Sequence, residues 1–446
     1  MSNGSPTAIT FGTDGVRGRA FEELSLNDAF LIGRAAADVL GGEHAVIGRD
    51  TRESGPAIAD AVAAGLATGG VTALSLGVAP TPAVAYVAGE RNCVGVVVSA
   101  SHNPWHDNGI KLFSTTGSKL SDAEQAAIEA RLAELANGPR PRTGAAEPAV
   151  VSESIQSEIG GWVSTVQTSI EVALDGLKVV LDCANGAASH VVAPALTDLG
   201  ADVTVLFNEP DGRNINDGCG STHPETLAAA VVDQGADIGL ALDGDADRLL
   251  AIDHRGQLVD GDHIMAMLAI DRRANKATQN QLVVTVMSNL GLLRAMQAAG
   301  VRVEVTPVGD RNVLIGMDRV GATLGGEQSG HLIFTDFGGT GDGFLSAVQV
   351  LALLKRSGRS LAELASAAMT SFPQVLQNVA VEEKMPDIAE RISDDIAKWS
   401  AILGDEGRIL VRASGTEPVI RVMVEAADAD QAQSVCDALC AVVGAL

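Results

Sequence analysis

The sequence predicts an α/β protein with three similar α/β domains of largely parallel sheets, followed by a smaller C-terminal α+β domain. Two observations carry this expectation. A strand, polar loop, helix and second strand recur three times along the chain, and the composition changes near Phe372-Pro373. Strands alternating with helices of this length imply βαβ units, whose crossover helices make the flanking strands run parallel.

The first copy starts at Ala45-Val46-Ile47, passes through Arg49-Asp50-Thr51-Arg52 and a helix to Gly69-Gly70, and continues with Val71 to Leu76. In the second, Val179-Val180-Leu181 leads to Asn185-Gly186, a helix, Gly200 and Val203 to Phe207. The third runs from Val283-Val284-Thr285-Val286 through Ser288-Asn289 and a helix to Gly300, then Val301 to Val305. Glycine at each helix end is expected to supply a left-handed cap residue. Asn137 to Pro148, rich in Pro, Gly and Ala, reads as a surface connection. Leu249–Ile252 and Leu258–Val259 flank His254-Arg255-Gly256 as a hairpin. The tail holds strands around Val375–Val381, Ile409–Val411 and Val419–Val424 and a closing helix. The domain limits expected are 1–155, 156–255, 256–370 and 371–446.

Composition narrows the function. The 446 residues include 46% hydrophobic and 20% charged side chains, an ordinary globular balance, and 3% aromatic ones. A net charge of −25 argues against nucleic acid or an anionic membrane as the main partner. A local cluster of Arg and Lys can still hold a small anion. Cys93, Cys183, Cys219, Cys436 and Cys440 form an odd, scattered set, which fits reduced core thiols better than a disulfide framework. Met1 to Thr10 lacks the basic start and apolar run of a signal peptide, and no stretch matches a membrane span. The expected compartment is the cytoplasm.

Four segments carry chemistry. The apolar run Val94 to Val98 feeds Ser99-Ala100-Ser101-His102-Asn103-Pro104, and ligands of parallel sheets sit beyond the carboxyl ends of strands. Small residues around Ser101 allow close approach; a plain polar turn is the alternative. Asp243-Gly244-Asp245-Ala246-Asp247-Arg248 follows the apolar run Ile238 to Leu242. Three carboxylates at alternate positions repel one another and favour a hard cation bound through oxygen. An EF-hand is excluded, because Arg248 stands where its sixth position needs Gly and His254 where its twelfth needs Glu. In Gly325-Gly326-Glu327-Gln328-Ser329-Gly330-His331, glycines flanking Glu, Ser and His make a loop that can approach a polyhydroxyl ligand and hydrogen-bond its hydroxyls, although Gly-rich loops are common. Arg412-Ala413-Ser414-Gly415-Thr416-Glu417-Pro418, with Arg421 beyond, offers hydroxyls, N–H groups and guanidinium groups to a phosphate dianion. Arg17 and Lys111 lie in Gly-rich surroundings. The Gly-x-Ser-x-Gly elbow, the phosphate-binding loop with Gly-Lys-Ser/Thr and the Gly-x-Gly-x-x-Gly fingerprint are all missing.

Phe11 to Gly18, Ser99 to Pro104 with Asp107 to Lys111, Asp243 to Arg248, Gly326 to His331 and Arg412 to Pro418 resemble, in this order, the motifs of the α-D-phosphohexomutase superfamily along the whole chain. Gln328, the Phe-Gly-Thr-Asp-Gly start and the chain length are similar to its glucosamine branch, whereas Pro307 departs from the usual Lys. The resemblance implies three α/β domains with mixed, largely parallel sheets around a central cleft, over which the fourth domain closes. It implies that Ser101 is phosphorylated and that one Mg²⁺ per chain is held by its phosphate with Asp243, Asp245 and Asp247. Glu327 and Ser329 would bind sugar hydroxyls. Arg412, Ser414, Gly415, Thr416 and Arg421 would bind the phosphate that is not reacting. Arg17, Lys111 and His331 would serve acid–base chemistry and charge stabilisation, with Arg248 on the transferring group. The implied reaction interconverts glucosamine 6-phosphate and glucosamine 1-phosphate through a 1,6-bisphosphate, towards UDP-N-acetylglucosamine and cell-wall precursors. Glucosamine or glucose 1,6-bisphosphate as activator, a priming kinase and a homodimer are compatible with it. The rival expectations are a phosphoglucomutase or phosphomannomutase, a metal-dependent phosphatase and a non-catalytic sugar-phosphate-binding protein.

Overall fold

A computed structural model describes residues 11–12, 15–137, 152–275, 280–414 and 418–446. The connection expected after Asn137 lies outside them, as do Gly415 and Thr416. By packing, the chain divides into two units. One comprises Met1–Met287 with Val301–Ala365, the other Ser288–Gly300 with Ser366–Leu446.

Three sheets build the first unit. The first has the order β1-β5-β4-β2-β3-β6, from β1 (Val16–Arg19), β2 (His44–Arg49), β3 (Thr72–Val78), β4 (Val94–Val98), β5 (Asp107–Phe113) and β6 (Ser152–Ser154). β2 runs parallel to β3 and β4, whereas β5 is antiparallel to both β4 and β1. All of β4 is buried, as expected of a central strand covered on both faces. The second sheet, β11-β10-β9-β7-β8, uses β7 (Lys178–Asp182), β8 (Asp202–Leu206), β9 (Ile238–Leu242), β10 (Leu249–Asp253) and β11 (Leu258–Val259). β7 is parallel to β8 and β9, and β10–β11 form the expected hairpin. The third, β13-β12-β14-β15, uses β12 (Gln281–Thr285), β13 (Arg302–Thr306), β14 (Leu324–Gly326) and β15 (Leu332–Phe334). Its first three strands are parallel and β15 is antiparallel. The repeat read from the sequence is therefore real, and each sheet adds an antiparallel edge to a parallel centre.

The glycine caps need two corrections, the first being that the helix Val192–Asp198 closes on right-handed Leu199, one residue before Gly200. Gly69, closing the helix Gly55–Thr68, has φ −87°, and the left-handed residue is Gly70 at φ 82°. Gly300 is left-handed as expected, at φ 67°.

The second unit has an antiparallel sheet of order β16-β18-β17, from β16 (Gln374–Ala380), β17 (Arg408–Ala413) and β18 (Val419–Glu425). The closing helix Ala429–Val443 buries Val435, Cys436, Leu439 and Val443 in the same cluster as Ile420, Val422 and Val424. The helix Leu290–Ala299 of the third repeat joins this unit. Its cap residue Asn289 donates through Nδ2 to Phe372 O (3.0 Å), and Leu290 N donates to Glu425 Oε2 (3.1 Å).

Candidate active site

The carboxyl ends of β4 and β9 bring Ser101 and the three aspartates together. Parallel βαβ units leave these strand ends open, so a loop from each neighbouring sheet can meet there. Ser101 Oγ donates to Asp243 Oδ2 at 2.5 Å, and both residues are buried. Ser101 has φ 54° and Ala246, within the aspartate loop, φ 60°. A left-handed non-glycine residue costs about 1–2 kcal/mol and persists only where its surroundings over-determine it. Here Ser101 N donates to Ser99 Oγ (2.9 Å), and Asn103 N closes the turn on Ala100 O (3.1 Å).

Asp243, Asp245 and Asp247 offer carboxylate oxygens that all lie within 4.8 Å of one another, and all three side chains are buried. Burial, reinforced by the Asp247 and Asp245 charges, pushes the Asp243 carboxyl well above its ordinary range. Asp247 goes the other way. Burial opposes the shift, but Lys111, His331 and Arg248 hold its carboxyl well below the usual range. Asp245 Oδ1 and Asp247 Oδ1 are buried and have no hydrogen-bond partner. Orphaned anionic oxygens beside a third carboxylate fit a hard divalent cation. Thr81 orients one of these carboxylates, donating through Oγ1 to Asp245 Oδ2 (2.6 Å) and through its N–H to Asp245 O (2.9 Å).

The basic residues close round this centre. Lys111, on β5, donates to Asp245 Oδ2 (2.8 Å) and Asp247 Oδ2 (3.0 Å). His331 Nδ1 lies 3.6 Å from Asp247 Oδ1, and Gly341 N donates to His331 Nε2 at 3.1 Å. That donor leaves the ring proton on Nδ1, facing Asp247. Burial works against protonating this ring, yet Asp247 and Asp310 raise its pKa above the ordinary histidine value. Arg248 N donates to Asp243 Oδ1 (3.2 Å). Arg17, on β1 opposite Gly109 of β5, is near enough for its charge to act on His102, beside Ser101. Burial, then Arg248 and Arg17, push His102 down to about 4, so it is neutral near pH 7.

The loop Glu327–Gly330 hangs on β10 and on the helix Gly261–Ala274: Leu249 N donates to Gly330 O and Gly261 N to Gln328 O, both at 3.0 Å. Glu327 Oε1 accepts from Gly309 N (2.9 Å), and Ser329 Oγ is buried without a partner. Ser101, the aspartates, Arg17, Lys111, Arg248 and His331 thus form one cluster, with Glu327 and Ser329 on the loop that ends in His331. In the second unit, Arg412 and Arg421 are direct cross-strand partners, with Ser414 buried beside them. Burial and then the Arg421 charge lower the Arg412 pKa, and Arg421 Nε has no hydrogen-bond partner. Like charges set opposite are destabilising alone, so the pair suits an anion.

Residues 8–138, 161–256, 260–372 and 376–442 match, in turn, α/β/α domains I, II and III and the C-terminal domain of phosphoglucomutase/phosphomannomutase. The chain belongs to that family. Among its relatives, the phosphoglucosamine mutase of Desulforamulus reducens is 48% identical, the alignment covering 98% of this chain and 99% of that one. The phosphoglucosamine mutase of Thermobifida fusca is also 48% identical, with 97% of each covered. A phosphoglucomutase/phosphomannomutase family protein from Burkholderia thailandensis superposes with a TM-score of 0.76 at 25% identity, over 95% of each chain.

Sequence reasoning missed several residues of this phosphoglucomutase/phosphomannomutase site. Thr81 carries no local signal. Asp310, ion-paired with Lys119 and 3.9 Å from His331 Nε2, opens the helix Asp310–Val320. Arg52 stood in a polar loop recognised only as part of the repeat.

Proposed function

We propose that this chain is a phosphoglucosamine mutase working through phosphoserine 101. The observation that carries the reading is the Ser101 hydroxyl bonded to one of three buried, mutually repelling carboxylates at the end of a neighbouring strand. Relatives of that name at 48% identity over nearly the whole chain support the choice of substrate.

In the first half-reaction, the phosphorus–Oγ bond of phosphoserine 101 breaks as a bond forms to the free hydroxyl of the sugar phosphate. The hydroxyl proton passes to the acid–base group of the site, and Oγ takes up a proton in exchange, so that none is gained or lost overall. The product is glucosamine 1,6-bisphosphate. After it turns round, the other phosphoryl group returns to Ser101 by the reverse steps. Such transfer rests on positioning and on stabilising the equatorial oxygens, a task for Arg17, Arg248 and Lys111. Asp243, Asp245 and Asp247 would hold Mg²⁺, which when bound supplies positive charge to the transferring phosphoryl group. Glu327 and Ser329 would take sugar hydroxyls. The Arg412–Arg421 pair, with Ser414, Gly415 and Thr416, would take a phosphate. Among the described residues no helix is long and apolar enough to cross a membrane, which agrees with a cytoplasmic reaction.

The test is Ser101→Ala, assayed with glucosamine 6-phosphate and weighed intact before and after phosphatase treatment. The expected outcome is a folded chain without the phosphate mass, with turnover reduced by at least about 10³-fold, as for other lost nucleophiles. Undiminished turnover by this variant would exclude the phosphoserine route. Steady release of inorganic phosphate by the unsubstituted chain would make it a phosphatase, and faster turnover of glucose or mannose phosphates would move it to another branch.

A further inference from the structure

Behind the reactive hydroxyl, two side chains, one from the loop after β2 and one from the loop after β8, grip the same two backbone carbonyls. Arg52 Nη2 donates to Ser101 O (3.2 Å) and Asn103 O (2.5 Å). Asn216 Nδ2 donates to Ser101 O (2.9 Å) and Asn103 O (3.1 Å). Arg52 is fully buried and Asn216 nearly so. The guanidinium is fixed by Asp50, which ion-pairs with Nη1 and accepts the Arg52 N–H through Oδ1 (3.0 Å). Asp50 N in turn donates to Val98 O (3.1 Å), the last residue of β4. The grip is therefore rooted in the strand that carries the serine.

Carbonyls two residues apart can face a common donor only if the residue between or before them turns the chain back. Left-handed Ser101 makes that turn, so its backbone and the grip are one constraint seen from two sides. If either donor is lost, one of the restraints that keep Ser101 left-handed goes with it, and Oγ is held less firmly on Asp243. The aspartate loop would feel the same motion. A Cβ on Gly244 would lie 2.6 Å from Ser101 O and 2.9 Å from Asn216 Nδ2, so that loop's backbone rests directly on the gripped carbonyl. The arrangement is also expensive, since Arg52 Nε and Asn216 Oδ1 are left without hydrogen-bond partners. A pair selected for stability alone would satisfy those atoms.

We propose that Arg52 and Asn216 are positioning residues for phosphoryl transfer, holding Ser101 left-handed so that its oxygen stays aimed past Asp243 at the reacting phosphorus. The inference rests on the phosphoserine reading above. Neither residue touches the reacting atoms; both act through the serine backbone. Misplacing a reacting group by about 1 Å costs on the order of 10²-fold in rate, which sets the expected effect.

Asn216→Ala leaves the Asp50–Arg52 ion pair intact and removes one donor. It should lower kcat roughly 10- to 100-fold, with KM for the sugar phosphate unchanged and the melting temperature close to that of the unsubstituted chain. Asn216→Asp keeps the shape but turns an acceptor towards two carbonyls, and should be slower than the alanine variant. Arg52→Lys keeps a positive charge beside Asp50 but lacks the planar fork, so it too should lose kcat rather than KM. In all three, single-turnover transfer from phosphorylated Ser101 should slow in step with kcat. Normal kcat in Asn216→Ala and Arg52→Lys overturns the proposal. So does a loss that only tracks the unfolded fraction, or one that appears in KM alone. An unsubstituted chain that carries no phosphate on Ser101 and transfers none would instead overturn the phosphoserine reading, and this inference with it.

Discussion

The loops leaving β2 and β7 occupy the same place in their repeats, yet they do different work. Each opens on a buried carboxylate whose Oδ1 accepts the N–H two residues on, Arg52 N from Asp50 (3.0 Å) and Ala184 N from Asp182 (2.8 Å). They part at the second oxygen. Asp50 Oδ2 holds the Arg52 guanidinium, whereas Asp182 Oδ2 accepts only Gly220 N (2.8 Å). With no cation acting on it among the described residues, burial pushes the Asp182 carboxyl up to about 6, against two backbone donors that favour the charged form. The two loops touch where Thr51 Oγ1 donates to Asn185 O (2.6 Å). A repeated turn thus supplies one geometry, and the residue at its third position, Arg52 or Ala184, decides whether it reaches the serine or merely closes a strand.

The comparison can be broken most severely at Arg52. Arg52→Ala strands the Asp50 carboxylate in the interior, and losing one partner of a buried pair costs about 3–5 kcal/mol. Urea unfolding should show that loss, and a change below about 1 kcal/mol would mean that Asp50 is not held as a charged partner.

Asp182 gives a smaller, pH-dependent effect. The folded chain binds this proton more tightly than the unfolded chain does, since the pKa rises from 3.8 to about 6. Its contribution is therefore whole below about pH 4 and is lost as pH climbs through about 6, by at most about 3 kcal/mol. Asp182→Asn cannot ionise and should flatten the stability profile across that window, whatever constant offset the lost acceptor adds. An unchanged slope would assign the window to other groups. Least of all, Thr51→Val should cost about 1 kcal/mol, the worth of one hydrogen bond, and double-mutant cycles with Arg52→Lys would show whether the two loops are coupled.

The parts legible in the sequence were those whose cause is local. β4 and β9 begin and end where the apolar runs Val94 to Val98 and Ile238 to Leu242 do. Ser101 and the aspartate triad announced themselves because each follows such a run directly. Arg52 and Asn216 stand 49 and 115 residues from Ser101, and Thr81 stands 164 from Asp245. Nothing in an Arg within a polar turn, or in a single Asn, distinguishes a buried clamp from a solvated loop until the sheets are assembled. The helix caps show the opposite limit: a Gly-Gly pair signals a left-handed residue, but the pattern alone does not say which of the two adopts it.

The helix Leu290–Ala299 also has a consequence for synthesis. Its hydrogen-bond partners include Phe372 and Glu425, and Arg408 Nη2 donates to Ser288 O at 2.7 Å. At about 5–20 residues per second, a nascent chain exposes this helix for several seconds before those partners leave the ribosome. Leu292 and Met296, buried in the finished protein, lie on a helix whose anchoring hydrogen bonds cannot form until that delay is over.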